Sequence, residues 1–316
     1  MKFVRFVAII AFILIIVGLL WWTNGTKAIN PNNKKEIIFV VQPGSSVKTI
    51  ARKLKDQNLL RSELIFLLLV KKENLDRKIQ SGDFKLSQSM TPLQIAKTLT
   101  QNPLDIWITI PEGKRAEEIA EILEQHLPKY NPSWREVLIK HEGYLFPDTY
   151  LIPKEATVED IVAIMEKNFD KKYASINIIN TDLPREKIVI IASLIEREAR
   201  HPQDLPLVSS VIHNRLAIGM ALQVDATIQY AKGKQNGKWW SPITVADYTA
   251  VISPYNTYLH PGLPPGPISN PGLAALQAAA NPADTDYLYY ITDKNGINRY
   301  ARTNAEHNEN IKKYGL

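Results

Sequence analysis

An apolar block that ends in a single carboxylate constrains this chain more than any other stretch. Residues 188–195 are almost entirely apolar, and Ile188, Ala192 and Ile195 recur at helical spacing, which predicts a buried helix. Glu196 follows directly, at the border of the buried face. A partly desolvated carboxyl group has a raised pKa and can hold the proton that a general acid donates.

The surroundings of Glu196 leave two interpretations open. Glu198 lies two residues further on, about 200° around the helix, so the two glutamates cannot act as a pair. Glu196 is either a catalytic acid or a helix-end glutamate neutralised by a nearby arginine, for which the candidates are Arg197, Arg200 and Arg215.

Length and composition exclude several classes of protein. A chain of 316 residues with 45% apolar content can build two or three domains with substantial cores. The net charge is +6, but the basic residues are spread along the chain without a nucleic-acid-binding motif, so no nucleic-acid partner is predicted. Cysteine is absent, which excludes disulfides and thiolate metal sites.

The amino terminus has the pattern of a membrane anchor. Lys2 and Arg5 precede an uncharged apolar run at residues 6–22, close to the ~20 residues that cross a bilayer. The pattern predicts a cytoplasmic tail (residues 1–5), a single transmembrane helix in the plasma membrane, and the remainder on the cell-wall side. A cleaved signal peptide is the alternative, but the run is long and no small-residue cleavage site follows. Residues 23–35 are a polar linker.

A small α+β region is predicted for residues 36–141. A strand at 37–41, a Pro-Gly turn and helices at 46–57 and 62–71 are expected from the pattern. This order, carried by VVQPGSSVKTIARKLKDQNLL, resembles a LysM module, which binds glycans that contain N-acetylglucosamine. A generic α+β module fits the pattern equally well. The theme partly repeats, with a strand at 107–111, a turn at Glu112-Gly113 and a helix at 116–126.

The remainder, residues 142–316, is predicted to be an α+β catalytic domain. It begins with an aromatic segment with two carboxylates and contains a Pro- and Gly-rich ordered loop at 253–272. The other predicted elements are helices at 133–140, 158–173, 244–248, 273–280 and 304–314, and a hairpin of strands 287–292 and 298–302.

The motif search leaves carboxylate chemistry on a sugar. The sequence has no glycine-rich phosphate loop, no HExxH and no G-x-S-x-G, so neither a cofactor nor a metal is expected. Asp225 could be a second catalytic carboxylate, a cap of the following helix or a substrate contact. The run Asp-Ala-Thr-Ile-Gln favours the cap or the contact.

Five blocks over residues 142–292 carry a family resemblance. They are EGYLFPDTY, ASLIEREA, VIHNRLAIGMALQVDATIQY, SPYNTYLHPGLPPGPISNPG and AAANPADTDYLYYI. In this order they resemble the YceG-like family of endolytic murein transglycosylases. The family's catalytic glutamate is the first Glu of its A-S-[IL]-[IV]-E-[KR]-E block, which here is Glu196. The chain departs mildly from the pattern at Ala199, where the family often has Thr.

The resemblance implies a lytic transglycosylase that cuts between N-acetylmuramic acid and N-acetylglucosamine inside nascent peptidoglycan strands. It implies 1,6-anhydro ends, possible termination of strand elongation, and partnership with peptidoglycan synthases at the membrane. One glutamate suffices, because the sugar's own C6 hydroxyl can be the nucleophile. Resemblance and polarity together suggest four substrate contacts: Gln223, Asp225, Tyr255 and Asn256.

Two alternatives come from other classes. A hydrolysing muramidase needs a second carboxylate, for which Asp225, Glu142 and Asp148 are the candidates. A non-catalytic cell-wall protein would bind glycan through the LysM-like region and release no product.

Overall fold

The computed structural model describes residues 2–101 and 103–314, and for residues 2–8 and 11 it describes the backbone alone. Met1 of the predicted cytoplasmic tail and residues 315–316 at the end of the predicted catalytic domain lie outside the described residues.

The chain divides into two compact units. Unit 1 holds the chain up to Ile108 together with Tyr150–Glu155, and unit 2 holds Thr109–Thr149 together with the chain from Ala156 onwards. Helices and two-stranded sheets occur in both, so the predicted α+β class is confirmed. The segment from Thr109 to residue 141 belongs to unit 2, whereas the sequence grouped it with the LysM-like region.

Unit 1 is built on an antiparallel pair of strands with two helices between them along the chain. Phe39 of the first strand lies opposite Phe84 of the second. Its elements are α1 (Lys2–Gly25), β1 (Glu36–Val41), α2 (Val47–Asp56), α3 (Glu63–Lys72), β2 (Gly82–Ser87), α4 (Pro92–Thr98) and most of β3 (Asp105–Thr109) and β4 (Thr149–Pro153), which pair with each other.

Local sequence explains where the helices of unit 1 begin. The hydroxyl of Ser46 accepts a hydrogen bond from the Thr49 N–H at 3.1 Å and so caps α2. The apolar faces of α2 and α3 then pack on the aromatic residues of β1 and β2 to form the core. Each buried large apolar side chain contributes about 1.5–3 kcal/mol. The predicted strand and both helices are confirmed; β2 was not predicted.

Helix α1 covers the run for which a transmembrane helix was predicted. Over the part of the chain that the structure describes, no helix is both long enough and apolar enough to cross a membrane.

Unit 2 is mostly helical. Its elements are α5 (Ala116–His126), α6 (Trp134–Ile139), α7 (Val158–Tyr173), α8 (Arg185–Glu198), a 3-10 turn (Pro202–Asp204), α9 (Leu205–Ala217), α10 (Asp225–Lys232), α11 (Asp247–Ala250), α12 (Leu273–Ala280), β5 (Tyr289–Thr292), β6 (Asn298–Ala301) and α13 (Asn304–Tyr314).

Helix α8 is the centre of unit 2. It contains the apolar block that opened the sequence analysis, and Ile188, Ala192 and Ile195 are completely buried. Helices α9, α10 and α12 pack against it. The burial of α8 on several sides fixes the orientation of its last turn, where Glu196 lies.

Candidate active site

Glu196 is half-buried on the last turn of α8. Its Oε2 accepts a hydrogen bond from the backbone N–H of Gly272 at 3.0 Å, and Gly272 is the residue that precedes α12. Burial raises the pKa of the Glu196 carboxyl group, while the Gly272 hydrogen bond opposes that rise. The side chain is therefore held in one place and retains a proton more readily than an ordinary glutamate, as the sequence predicted.

A second carboxylate, Glu112, lies beside Glu196. A Cβ atom added to Gly272 would come within 2.0 Å of Glu112 Oε1, so Glu112 packs directly on the residue that binds Glu196. The following residue, Gly113, has a φ of +71°, and a Cβ there would lie 3.4 Å from Glu196 Cγ. The negative charge of Glu112 adds to the rise in the pKa of Glu196 caused by burial. The sequence analysis treated these two residues only as a turn.

Asn270 holds the loops of the site together. It is completely buried, and its Oδ1 accepts hydrogen bonds from the backbone N–H groups of Gly143 (2.8 Å) and Leu145 (2.9 Å). Its Nδ2 donates to the carbonyl of Lys114 (3.0 Å) and to Glu142 Oε1 (2.8 Å). One amide side chain thus joins the turn that carries Glu112 to the loop that leads into α12.

Glu142 is committed to this network. Both carboxylate oxygens accept the backbone N–H of Ala116, at 3.0 and 3.1 Å, at the start of α5, and the side chain is 7% exposed. Burial raises the pKa of Glu142 to about 8. Because its oxygens are already occupied by protein donors, Glu142 is poorly suited to activating a water molecule.

Arg197 lies between Glu196 and an aromatic ring. Its guanidinium is 3.9 Å from the ring centre of Trp240, and its Nη1 donates to the Gly113 carbonyl at 3.4 Å. Within the described part of the chain, its buried Nε has no hydrogen-bond partner. Arg197 lowers the pKa of Glu196, but burial outweighs it and the pKa stays raised, which argues against the alternative of a glutamate neutralised by Arg197.

Trp240 is held in an unusual backbone conformation. Its φ is +57°, a region that bulky residues rarely adopt. The indole N–H donates to Glu118 Oε2 at 2.7 Å, and Glu118 also pairs with Lys114 at 2.6 Å. Strained residues are common at functional sites, where surrounding contacts hold them in place. Sequence analysis missed Trp240 because nothing in the sequence around the Trp239-Trp240 pair predicts which distant residues it contacts.

Two of the predicted substrate contacts, Gln223 and Asp225, form a second neighbourhood at the start of α10, whereas the ring of Tyr255 packs on Tyr230 with ring centres 4.8 Å apart. Gln223 is exposed, with a φ of +53°, and its backbone N–H donates to the Thr257 carbonyl at 3.2 Å. Asp225 is exposed and accepts a 2.6 Å hydrogen bond from the Tyr258 hydroxyl. Tyr255 is half-buried.

This neighbourhood adjoins the end of α8 through Glu198. The Glu198 carboxylate accepts a 2.8 Å hydrogen bond from the Tyr290 hydroxyl. Burial raises its pKa, and the charge of Asp225 raises it further. Asp225 is therefore close to Glu198. It is the first residue of α10 but does not cap it, because the N-cap position belongs to Val224, with no side-chain hydrogen bond. The cap interpretation was wrong.

Asn256 has a structural role in place of the predicted substrate contact. It is completely buried, and its Nδ2 donates to the backbone carbonyls of Tyr248 (3.1 Å) and Val251 (2.8 Å). Its Oδ1 accepts from the Tyr258 N–H at 3.0 Å. With donor and acceptor both used within its own loop, the side chain is not presented to a ligand.

Among the residues that the structure describes, no group of three or more His, Asp or Glu side chains is arranged to hold a metal ion.

Fold and site define an α+β protein with one helix-end glutamate held by a backbone N–H beside an arginine and a second carboxylate. The YceG-like family model matches residues 39–313. The chain belongs to the YceG-like family, so the resemblance indicated by the five sequence blocks is confirmed.

Relatives and a solved structure agree with this assignment. The chain is 32% identical to the endolytic murein transglycosylase of Bacillus subtilis strain 168, over 91% of this chain and 87% of that protein. It is 30% identical to the endolytic murein transglycosylase of Streptococcus pneumoniae D39 over 90% of its length, but spans only 59% of that longer protein. The crystal structure of a YceG-like protein from Listeria monocytogenes matches 87% of this chain and 99% of its own, with a TM-score of 0.58 and 30% identity.

Proposed function

We propose that this chain is an endolytic lytic transglycosylase of peptidoglycan. It cleaves the bond between N-acetylmuramic acid and N-acetylglucosamine within nascent strands and leaves 1,6-anhydro ends, which would terminate strand elongation. The B. subtilis and S. pneumoniae relatives are endolytic murein transglycosylases, which supports the substrate and the reaction class. The observation that carries the proposal is the half-buried Glu196, held by Gly272 and favoured in its protonated form.

The chemistry needs Glu196 twice. The protonated carboxyl group first donates its proton to the oxygen that leaves with N-acetylglucosamine, and the bond from that oxygen to C1 of N-acetylmuramic acid breaks. The resulting carboxylate then accepts the proton of the C6 hydroxyl as O6 bonds to C1. Glu196 ends protonated again, no water is consumed, and the two products together have the atoms of the substrate.

A charge-neutral variant tests this role. Glu196→Gln retains the shape of the side chain and an acceptor for the Gly272 N–H but has no proton to transfer. We expect cleavage of uncrosslinked peptidoglycan strands to fall by at least 10³-fold, within the range by which acid–base groups contribute. Glu136→Gln, on the exposed side of α6, is the matched control and should cleave normally. Near-normal activity of a folded Glu196→Gln protein would refute the proposal.

The hydrolase alternative needs a second carboxylate near the acid. Of the three candidates from the sequence, Glu142 is fully engaged, and Asp225 lies beside Glu198 and Tyr258. Asp148 accepts hydrogen bonds from the Thr149 N–H and from Asn168. Glu112 is the carboxylate that favours this alternative, because it packs against Gly272, the residue whose N–H binds Glu196. The product distinguishes the two reactions: hydrolysis leaves a reducing end, one water heavier than an anhydro end.

We also propose that unit 1 binds glycan through a LysM-like module. The antiparallel β1–β2 pair with α2 and α3 between them supports this, as does a cavity of ≈ 170 Å³ between the β1–α2 turn and residues 76–81. Ser45 and Asp76 give it polar walls. Filling the cavity with Ser45→Trp should weaken binding of N-acetylglucosamine oligomers to the full chain in calorimetry. Unchanged affinity would count against the module. Ser62→Ala, which removes the side-chain cap of α3, is the control for a change in helix capping.

The membrane location is a further part of the proposal. Lys2 and Arg5 before the apolar run support an anchor with the amino terminus in the cytoplasm, and apolar side chains of α1 such as Phe12 and Leu20 are exposed. An anchor would keep both units near the synthases that extrude new strands. Fractionation of cells should recover the chain with the plasma membrane, and deletion of residues 1–22 should release it.

A further inference from the structure

The second carboxylate of the site has a definite task. We propose that Glu112 is a positioning residue whose carboxylate, packed against Gly272, keeps the acid proton on Glu196. This inference rests on the proposed function and adds a residue to it.

The geometry around Gly272 brings the two carboxylates together. Its backbone N–H binds Glu196 Oε2 at 3.0 Å, while the position of its missing Cβ lies 2.0 Å from Glu112 Oε1 and 2.4 Å from Glu112 Cδ. The φ of Gly272 is −76°, so a side chain would be permitted by the backbone, and the glycine matters here for the space it leaves. Any side chain at this position would displace Glu112.

The turn that carries Glu112 is fixed against the same helix end. The Gly113 N–H donates to the Asn270 carbonyl at 3.0 Å, and the Gly113 carbonyl accepts from Arg197 at 3.4 Å. The next residue, Lys114, is bonded through its carbonyl to Asn270. Glu112 is thus an exposed side chain on a turn whose backbone is bonded to Asn270 and Arg197.

The charges around Glu196 come from few groups. Glu112 acts on it from the turn, and Arg197 acts from its own helix with the opposite sign. The start of α12 contributes the uncharged Gly272 backbone, and Trp240 contributes a ring that covers Arg197. Glu118 and Glu198 act on Arg197, and Glu198 is bound to Tyr290. Among these groups, Glu112 is therefore the negative charge that acts on Glu196 and favours its protonated form.

Two neighbouring carboxyl groups hold one proton more easily than they carry two negative charges. The proton should lie on the more buried group, because burial disfavours its charged form, and that group is Glu196. Once Glu196 has given its proton away, the same repulsion increases its affinity for the proton of the C6 hydroxyl. One interaction thus assists both steps of the proposed reaction.

The test removes the charge of the Glu112 side chain and keeps its shape. In Glu112→Gln, the alkaline limb of the pH profile of kcat/KM should move down by about one pH unit, since that limb reports loss of the acid proton. The Glu196 carboxyl signal, assigned with Glu196→Gln and titrated by carbon NMR without substrate, should move by the same amount. Glu136→Gln removes an equal charge away from the site and should leave both measurements unchanged.

Each contrary outcome is informative. If the NMR titration of Glu196 is the same in Glu112→Gln and the parent protein, the positioning role is refuted. If Glu112→Gln loses cleavage at every pH with the titration unchanged, Glu112 acts on substrate directly, which also refutes it. If the titration moves but the parent protein cleaves no peptidoglycan, the proposed function fails while the coupling of the two glutamates stands.

Discussion

Replacing Asn270 should disconnect the loops that support the site. The change Asn270→Ala removes two accepted hydrogen bonds, from Gly143 and Leu145, and two donated ones, to Lys114 and Glu142. Asn270 is completely buried, so water cannot replace these partners without reorganisation. At about 1 kcal/mol for each bond, and more for the one to a carboxylate, we expect a loss of about 4–5 kcal/mol.

The assay should report on unit 2 and on the loop itself. Urea unfolding gives the free energy, and hydrogen exchange gives the protection of the Gly143 and Leu145 amides, which should fall sharply in Asn270→Ala. Asn281→Ala is a suitable control, because Asn281 also braces a loop. It accepts the Ile179 N–H at 2.9 Å and donates to the Asn177 and Gln277 carbonyls at 2.9 and 3.3 Å, but it is only half-buried, so water can replace most of these bonds. Its cost should stay near 1 kcal/mol. A loss below about 1 kcal/mol in Asn270→Ala, with both amides still protected, would refute this account of the network.

Three further predictions concern the site. In Gly272→Ala, the backbone N–H that binds Glu196 is retained, but the new Cβ displaces Glu112. The protein should fold normally, and the alkaline limb of its pH profile should move down as in Glu112→Gln. A limb that does not move would contradict the shared role of Gly272. The raised pKa of Glu142, about 8 against 4.5, means that the folded state binds its proton more tightly. The free energy of unfolding should therefore fall by on the order of a few kcal/mol as pH rises from about 5 to 8. In urea unfolding, Glu142→Gln should make this pH dependence shallower, and an equal slope in the two proteins would contradict the prediction. Trp240→Phe loses the hydrogen bond to Glu118 but keeps an aromatic ring beside Arg197. Its free energy of unfolding should fall by about 1–2 kcal/mol in the same assay. An unchanged midpoint would show that the hydrogen bond does not stabilise the fold.

Elements with a clear local pattern were predictable from the sequence. Helices α5, α7, α12 and α13 have the predicted bounds. The local signals are clearest for α7, which begins at a Thr157–Asp160 capping box and has apolar residues at helical spacing. The partial burial of Glu196 followed from the same reasoning, since one step beyond Ile195 places it at the edge of the buried face.

Contacts between distant segments were not predictable. Glu196 and its partner Gly272 are 76 residues apart, and Asn270 reaches Lys114 across 156 residues. Local sequence periodicity does not predict contacts between segments so far apart, so Glu112 was predicted only as part of a turn. Strand β4 was missed because it needs β3 as a partner, and Asn256 was misassigned because polarity does not distinguish a loop brace from a ligand contact.

The most direct test of the central claim is the source of the oxygen in the product. Purified protein would be incubated with uncrosslinked peptidoglycan strands in heavy-oxygen water, and the new ends would be analysed by mass spectrometry. The account predicts that the parent protein produces 1,6-anhydro ends without heavy oxygen. It predicts that Glu196→Gln produces no new ends. Reducing ends that carry heavy oxygen would show that water is the nucleophile, and would contradict the claim that Glu196 directs the attack of the sugar's own C6 hydroxyl.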